Sequence, residues 1–155
     1  FLYSFYTTDT VVEIDNATGE TLRHFGQSNG AWDFDPKESG FWWQHGATYT
    51  DTGTLLLSTY IEEYSSELVA RAYELDEDDT TLRQIWSFGE GEGIHGSTAG
   101  EAHRLPNGNT LHNYGAGAHL REITPDLDIA WEVSWKSNRL LGRTVFVDDL
   151  YAFAP

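Results

Sequence analysis

One short segment of the chain concentrates side chains that can hold or transfer an anion. Residues 101–123, EAHRLPNGNTLHNYGAGAHLREI, contain three of the six histidines of the sequence. The candidate residues of this segment are His103, His112, Asn113, His119 and Arg121. His119 and Arg121 alternate along one strand, so their side chains are expected to point the same way. Imidazoles, an amide and the planar fork of an arginine suit an oxyanion that is held while it is transferred.

The first part of this segment is predicted to be a β-hairpin. Asn107-Gly108 is a strong two-residue turn signal, and with that turn His103 faces His112. Directly opposed side chains of an antiparallel pair have Cβ atoms about 4.5–5.5 Å apart. The two imidazoles are therefore expected to touch or to bracket a common ligand. The same register pairs Leu105 with Thr110 and Ala102 with Asn113.

Each of these residues also has a structural interpretation. His103 and His112 can be a stacked pair that fills a sheet face, and Arg121 can pair with Glu122 or Glu101 at an exposed edge. The two histidines and Glu101 could also bind a divalent metal. Because this spacing alone is a weak signal for a metal, we predict neither a metal nor a cofactor.

A second candidate site lies in FWWQHGATYTDTGTLLL, residues 41–57. His45 begins a predicted inner strand, where it can reach a central channel and act as a nucleophile; the alternative is a core histidine with satisfied hydrogen bonds. Trp42 and Trp43 can form an aromatic wall that binds a flat substrate, although packing is the commoner role of such residues.

The other histidines give weaker signals. His24 lies in HFG, and His95 lies in the glycine-rich segment GEGEGIHGSTAG, residues 89–100. This segment has neither the strand–loop–helix context of a G-x-G-x-x-G motif nor a lysine for phosphates. Nucleotide binding is therefore not expected, and the segment is predicted to be a connection between strands.

The composition narrows the class of partner. The chain has 25 acidic and 9 basic residues and a net charge of −16, and Lys37 and Lys136 are its only lysines. Without a basic stripe, nucleic acid is not an expected partner. Such a surface suits a protein of a salt-adapted organism, because a Debye length of about 3 Å at 1 M salt screens self-repulsion. An ordinary acidic secreted protein is the alternative.

Two further features concern redox chemistry and membranes. The absence of cysteine excludes disulfides, thiolate metal sites and cysteine nucleophiles. The initial apolar run FLYSFY is too short for a membrane span and lacks the features of a signal peptide. Because the sequence contains no methionine, it is expected to be a processed or trimmed piece that starts midway through a larger fold.

A strand pattern recurs along the chain and predicts an all-β fold. Residues 11–26, 71–89 and 120–135 each place a Glu between apolar or aromatic residues, followed by a polar turn and a second apolar strand. Additional hairpins, residues 47–60 and 102–115, precede the second and third copies. The unit thus has four strands, and its spacing approaches the roughly 40–50 residues of a propeller blade.

This repeat predicts about three blades of a β-propeller. The expected boundaries are a partial first blade at 1–30, a second at 41–89, a third at 100–136 and a closing strand at 143–153. Propellers close with about four to eight blades. The ring would therefore be completed by a remaining propeller half or by identical copies of the chain. The alternative is a β-sandwich of about twelve strands.

Several motifs resemble one known family. FWWQHGATYTDTGTLLL, RAYELDEDDTTLRQIWSFG, GEAHRLPNGNTLHNYG, LREITPDLDIAWEV and GRTVFVDDLY are similar to the C-terminal half of the arylsulfotransferase-like β-propeller family, over about residues 41–151. The most specific pieces are LPNGNTL and the ELDED…WSFG hairpin. The chain departs from the family pattern in STYIEEYSS, which replaces an Asp-Asn-Gly segment, and in Gly46, which replaces an Asp or Thr.

The resemblance implies an exported six-bladed propeller that moves a sulfuryl group from a phenolic sulfate to a phenol without a nucleotide donor. In the family a channel histidine forms a sulfohistidine, and other His, Arg and Asn residues hold the sulfuryl oxygens. His45 matches the family's Gln-His motif and is the expected nucleophile. A non-catalytic surface or structural module is the alternative function. If the protein is exported, Asn16-Ala17-Thr18 is a glycosylation sequon.

Overall fold

The chain folds into β-strands joined by short loops. A computed structural model describes residues 1–136, 139–147 and 149. These residues form twelve strands and three short 3₁₀ helices, and they contain no α-helix. The prediction of an all-β fold is confirmed. No helix in this described part is long and apolar enough to cross a membrane.

The strands run through the chain in an even succession. They are β1 (Leu2–Phe5), β2 (Thr10–Ile14), β3 (Thr21–Gly26), β4 (Asp33–Asp35), β5 (Trp42–Tyr49), β6 (Leu55–Tyr60), β7 (Leu68–Asp76), β8 (Thr81–Phe88), β9 (Glu101–Arg104), β10 (Thr110–Asn113), β11 (His119–Ile123) and β12 (Ile129–Ser134). The 3₁₀ helices span Tyr6–Thr8, Lys37–Ser39 and Gly115–Gly117.

The strands form three sheets in which neighbours along the chain pair antiparallel. The first sheet has the order β1-β2-β3, the central sheet β4-β8-β7-β6-β5 and the third sheet β12-β11-β10-β9. β4 is the exception, because it pairs parallel with β8 and extends the central sheet beyond β5–β8. The central sheet therefore includes residues that precede the predicted unit of 41–89.

The central sheet is buried on both faces. Side chains of Leu55, Leu57 and Tyr73 pack with Val11 and Phe25 of the first sheet. On the other face, Leu56 and two alanines of β7 pack against Ala102 of the third sheet. The run LLLST in β6 is buried at consecutive positions because successive side chains of a strand point to opposite faces, and both faces are covered. The three sheets are thus stacked as layers around two apolar interfaces.

An edge strand of each sheet lies near an edge strand of the next. β1 contacts β5, and β5 contacts β9. The last strand of the third sheet, β12, is exposed along its whole length. The edge strands β1, β5 and β9 consequently share one side of the molecule, and this side positions the candidate site.

The β9–β10 hairpin differs from its prediction by one residue. Leu105 N–H donates to Asn109 O at 2.8 Å, and Gly108 N–H donates to Leu105 O at 2.9 Å. The loop therefore contains three residues, Pro106, Asn107 and Gly108, and the last adopts a φ of +87°. This is the common three-residue hairpin loop, in which glycine takes the left-handed position.

This one-residue difference in register places the two histidines on opposite faces of the hairpin. His103 lies opposite Leu111, and His112 lies opposite Ala102. The predicted pairing of His103 with His112 is wrong, because a shift of one residue exchanges the two faces of a strand. The predicted pairs Leu105–Thr110 and Ala102–Asn113 are wrong for the same reason. The observed pairs are Arg104–Thr110 and Glu101–Asn113.

The C-terminal segment is only partly described. No strand is assigned to residues 143–147 or to residue 149. The other residues of the predicted closing strand, 148 and 150–153, lie outside the described part of the chain. The segment contacts the third sheet, because Thr144 Oγ1 donates to Glu101 Oε1 at 2.8 Å and Asn113 Nδ2 donates to Leu141 O at 3.3 Å.

Candidate functional site

A cleft of about 550 Å³ opens between β5 and β9. Its walls come from the two strands, from the loop before β9 and from the C-terminal segment. The lining residues are His45, Gly46, Ala47, Thr48, Thr98, Ala99, Gly100, Glu101, His103, Gly142 and Arg143. Two of the sequence-predicted site residues, His45 and His103, are therefore brought to one cavity.

His45 has the environment of a neutral imidazole. Its ring stacks on Tyr6, with 5.5 Å between the ring centroids and 21° between the planes. Burial lowers the pKa of His45 below its usual value, because desolvation disfavours the protonated ring. At neutral pH the ring therefore keeps a nitrogen lone pair that can attack an electrophile.

Gly46 allows β5 and β9 to approach each other next to His45. A Cβ at this position would lie 2.5 Å from the Cβ of Glu101. The residue also has a φ of +62°, which side chains rarely adopt. The local geometry therefore favours glycine at this position.

His103 and Glu101 form the β9 side of the cleft. They are two residues apart on one strand and so share a face. His103 Nε2 lies 3.3 Å from Glu101 Oε2, which permits an ion pair when the ring is protonated. The atoms do not have hydrogen-bond geometry, and His103 Nε2 has no hydrogen-bond partner among the described residues. Nε2 itself is buried, whereas the His103 side chain as a whole is 31% exposed, so another part of the ring can meet a molecule in the cleft.

Arg143 supplies a positive charge to the cleft wall. Its neighbour Thr144 is fixed by Glu101, whose Oε1 accepts hydrogen bonds from both the backbone N–H and the hydroxyl of Thr144. Glu101 thus connects the C-terminal segment to β9. The guanidinium charge can offset some of the repulsion that an acidic chain exerts on an anion.

His112 lies between the central and third sheets and away from the cleft wall. The ring is fully buried, and its Nε2 shares a hydrogen bond of 2.9 Å with Ser58 Oγ. It also packs on Tyr114, with 3.8 Å between ring centroids. Burial and the nearby positive charge of Arg121 lower the pKa of His112 to about 3.

Arg121 and His119 both lie beside Tyr114. The Arg121 guanidinium is 5.7 Å from the centroid of this ring, and His119 is 6.3 Å from it. Arg121 donates to Glu92 and Glu132, at 2.8 Å in each case. These partners differ from the predicted Glu122 and Glu101, and the arginine is 7% exposed rather than at an open edge.

The remaining predicted binding residues have structural contacts. Asn113 is buried, and its Oδ1 accepts a hydrogen bond from Gly115 N–H at 2.8 Å. Trp42 exchanges backbone hydrogen bonds with the hydroxyl of Thr59. Trp43 contacts Tyr6, with 5.6 Å between ring centroids. None of these three residues is among the described residues that line the cleft.

Sequence reasoning missed several residues that form the site. Tyr6 carries no motif and comes from the 3₁₀ helix after β1, so no local pattern connects it to His45. Glu101 was considered only as a metal ligand or as a partner of Arg121. Within the described part of the chain, no group of three or more histidine or acidic residues could hold a metal ion.

Comparison with known proteins gives no further assignment. No protein-family model matches the chain, and no curated protein matches it.

Proposed function

We propose that the cleft is a sulfuryl-transfer site of a β-propeller, with His45 as the nucleophile. The observation that carries the proposal is the cleft itself, where a desolvated His45 faces the same cavity as His103 and Arg143. The substrates are a phenolic sulfate as donor and a phenol as acceptor. This assignment agrees with the Gln-His motif and with the other motifs that resemble the arylsulfotransferase-like family.

The propeller is supported by the way the sheets succeed one another. Each sheet contains a run of antiparallel neighbours, and the edge strands β1, β5 and β9 contact one another in order. Inner strands of successive blades have this relationship around the axis of a propeller. We propose that the three sheets are blades, and that the cleft along β5 and β9 opens toward the axis.

The reaction has two steps. First, a lone pair of His45 attacks sulfur, the S–O bond to the aryl group breaks, and the phenolate leaves with a proton from the protonated ring of His103. Glu101 Oε2, which lies 3.3 Å from His103 Nε2, can form an ion pair with that protonated ring. Second, an acceptor phenol gives its proton to His103 and attacks sulfur, so that the S–N bond breaks and His45 is restored.

The guanidinium of Arg143 stabilises the negative charge on the sulfuryl oxygens in both steps. The other residues first predicted for this role are not required by the proposal. His112, His119 and Arg121 instead stabilise the contacts around Tyr114, and Asn113 orients the loop after β10.

A chromogenic aryl sulfate with a phenol acceptor tests the proposal. The protein is expected to release the chromogenic phenol, and His45→Ala to lose this activity by at least about 10³-fold, as for removal of a nucleophile. His95→Ala, which changes an exposed histidine outside the cleft, is the matched control. Equal release by wild type and His45→Ala would exclude the proposed nucleophile.

A non-catalytic surface or structural module is the second candidate function. It is favoured by the exposed apolar side chains of the outer strand β12, where Ile129, Trp131 and Val133 are each at least 40% exposed. Further blades, or identical copies of the chain, could cover this strand and complete a ring. We propose an exported location for either function, and the exposed Asn16 would accept a glycan there.

A further inference from the structure

A second candidate site lies beside the cleft and is built from aromatic rings. Trp43 contacts Tyr6 at 5.6 Å and Tyr60 at 6.4 Å between ring centroids. The phenols of Tyr6 and Tyr60 also influence each other electrostatically, so the three rings form one group. We call these three residues the aromatic cluster. Tyr6 is 45% exposed and Trp43 is 37% exposed, so ring surface is accessible to a ligand.

The backbone turns Trp43 toward the surface near the start of β5. Its φ is +52°, which is a rare conformation for a bulky residue. The register of β5 with β6 is interrupted between Trp42 and His45, so the strand bulges at this point. The Trp43 N–H donates to Asp9 Oδ1, and this bond attaches the bulge to the first sheet.

Two carboxylates accompany the rings. Glu63 lies close enough to Asp9 for its charge to act on that carboxyl. Together with burial, this repulsion raises the pKa of Asp9 above its usual value. Neither carboxylate takes part in an ion pair with any of the basic groups in the described part of the chain. The negative charge beside the cluster is therefore not compensated there by the protein.

This combination of groups selects one class of ligand. Aromatic faces attract cations, and quaternary ammonium groups are the organic cations that such rings recognise. A hard metal ion instead requires several oxygen ligands, and the described residues contain no group of three acidic or histidine side chains that could supply them. An anion would be repelled by Asp9 and Glu63.

We propose that the aromatic cluster, with Asp9 and Glu63, binds an organic cation of the quaternary ammonium class. The ammonium group lies against the ring of Trp43 and is flanked by Tyr6 and Tyr60, while the carboxylates provide long-range attraction. This site is separate from the sulfuryl-transfer cleft and does not depend on it. The two neighbour each other because Tyr6 also stacks on His45.

Choline and its neutral isostere 3,3-dimethylbutan-1-ol test the proposal by isothermal titration calorimetry at low ionic strength. The two ligands have nearly the same shape and differ in charge. Choline is expected to bind at least about tenfold more tightly, because the ring faces and the carboxylates both act on the charge. Equal affinity for the two ligands, or no binding of choline, would overturn the proposal.

Variants locate the site. Trp43→Leu is expected to weaken choline binding at least about tenfold, whereas Trp131→Leu, which changes a similarly exposed tryptophan on β12, is expected to leave it unchanged. Glu63→Gln changes an exposed loop residue and is expected to weaken binding about threefold or more. If Trp43→Leu does not fold, Glu63→Gln still tests the proposal. Unchanged affinity of Glu63→Gln for choline would contradict a contribution of the carboxylate charge to binding.

A quaternary ammonium group can belong to a free small molecule or to a lipid headgroup. Sedimentation with phosphatidylcholine vesicles separates these sources for a protein that binds choline. If the wild-type protein sediments with the vesicles and Trp43→Leu does not, the lipid headgroup is the source. Absence from the pellet would identify the free cation.

Discussion

Ser58 Oγ and His112 Nε2 share a hydrogen bond of 2.9 Å that joins the central sheet to the third sheet. Both side chains are buried, and they come from β6 and β10. The bond crosses an otherwise apolar interface formed by Leu56, Ala70, Ala72 and Ala102. A buried polar pair of this kind fixes the relative position of two layers, because either group would lose a hydrogen bond if the layers slid.

Replacing Ser58 removes this link without creating a large cavity. Ser58→Ala leaves His112 Nε2 buried without its partner, which is expected to cost about 1–3 kcal/mol of unfolding free energy. Urea denaturation followed by circular dichroism measures this change. Ser134→Ala, at an exposed position of β12, is the control and is expected to change stability by less than about 0.5 kcal/mol. Equal stability of the two variants would contradict a structural role of the bond.

His112 is expected to make stability depend on pH in a definite window. Its pKa of about 3 in the folded protein lies below the usual 6.5, so the unfolded chain binds more protons between these values. Its contribution to stability is therefore complete above pH 6.5 and is lost as the pH falls toward 3. Within this window the slope attributable to His112 approaches about 1.4 kcal/mol per pH unit.

The comparison that isolates this slope uses His112→Gln, which cannot titrate. The free-energy difference between wild type and this variant is expected to shrink as the pH falls from 6.5 to about 5.5, above the range where most carboxylates titrate. His95→Gln changes an exposed histidine and serves as the control. A constant difference between wild type and His112→Gln over this range would show that His112 is not held neutral by the fold.

A comparison of Gly46 with Gly53 separates the stability cost of the close approach of β5 and β9 from the cost of backbone strain. Both have positive φ values, +62° and +83°, but only a Cβ at Gly46 would meet Glu101. Gly46→Ala and Gly53→Ala share a strain cost of about 1–2 kcal/mol, and Gly46→Ala adds about 1–3 kcal/mol for overpacking. Urea midpoints of the two variants test this order. Equal midpoints would mean that β5 and β9 separate freely.

The net charge of −16 is expected to make stability increase with salt. Raising NaCl from about 0.05 M to about 1 M shortens the Debye length from more than 10 Å to about 3 Å and screens repulsion among the carboxylates. The thermal midpoint should therefore rise. Chloride is preferred to sulfate in this measurement because sulfate strengthens apolar burial independently of charge. A midpoint that falls with added NaCl would contradict adaptation to salt.

The sequence was most informative about strands and least informative about their register. The alternation of residues in segments such as 120–135 correctly predicted an all-β fold, because burial of one strand face leaves a period of two. The Asn-Gly pair located the β9–β10 turn but not its length. Pro106 favours the first turn position and places Gly108 in the left-handed position, and this one-residue difference separated His103 from His112.

The candidate site was only partly predictable for a related reason. His45 and His103 could be selected by residue type, and both line the cleft. Tyr6 and Arg143 lie far from them in sequence, and their positions depend on how separate sheets and the C-terminal segment pack. Local periodicity contains no information about such contacts. His112 illustrates the opposite error, since its residue type suggested chemistry but its buried position makes it a structural group.

The short strand β4 protects the outer side of the central sheet. β8 would otherwise present a row of unpaired backbone groups, which can recruit strands from other molecules. β4 covers three positions of this row and carries Asp33 and Asp35 at its ends. A fragment of residues 41–89 would lack β4 and would leave the edge of β8 unpaired. Such a fragment is expected to aggregate through this strand edge, whereas a fragment that begins before residue 33 is expected to stay in solution.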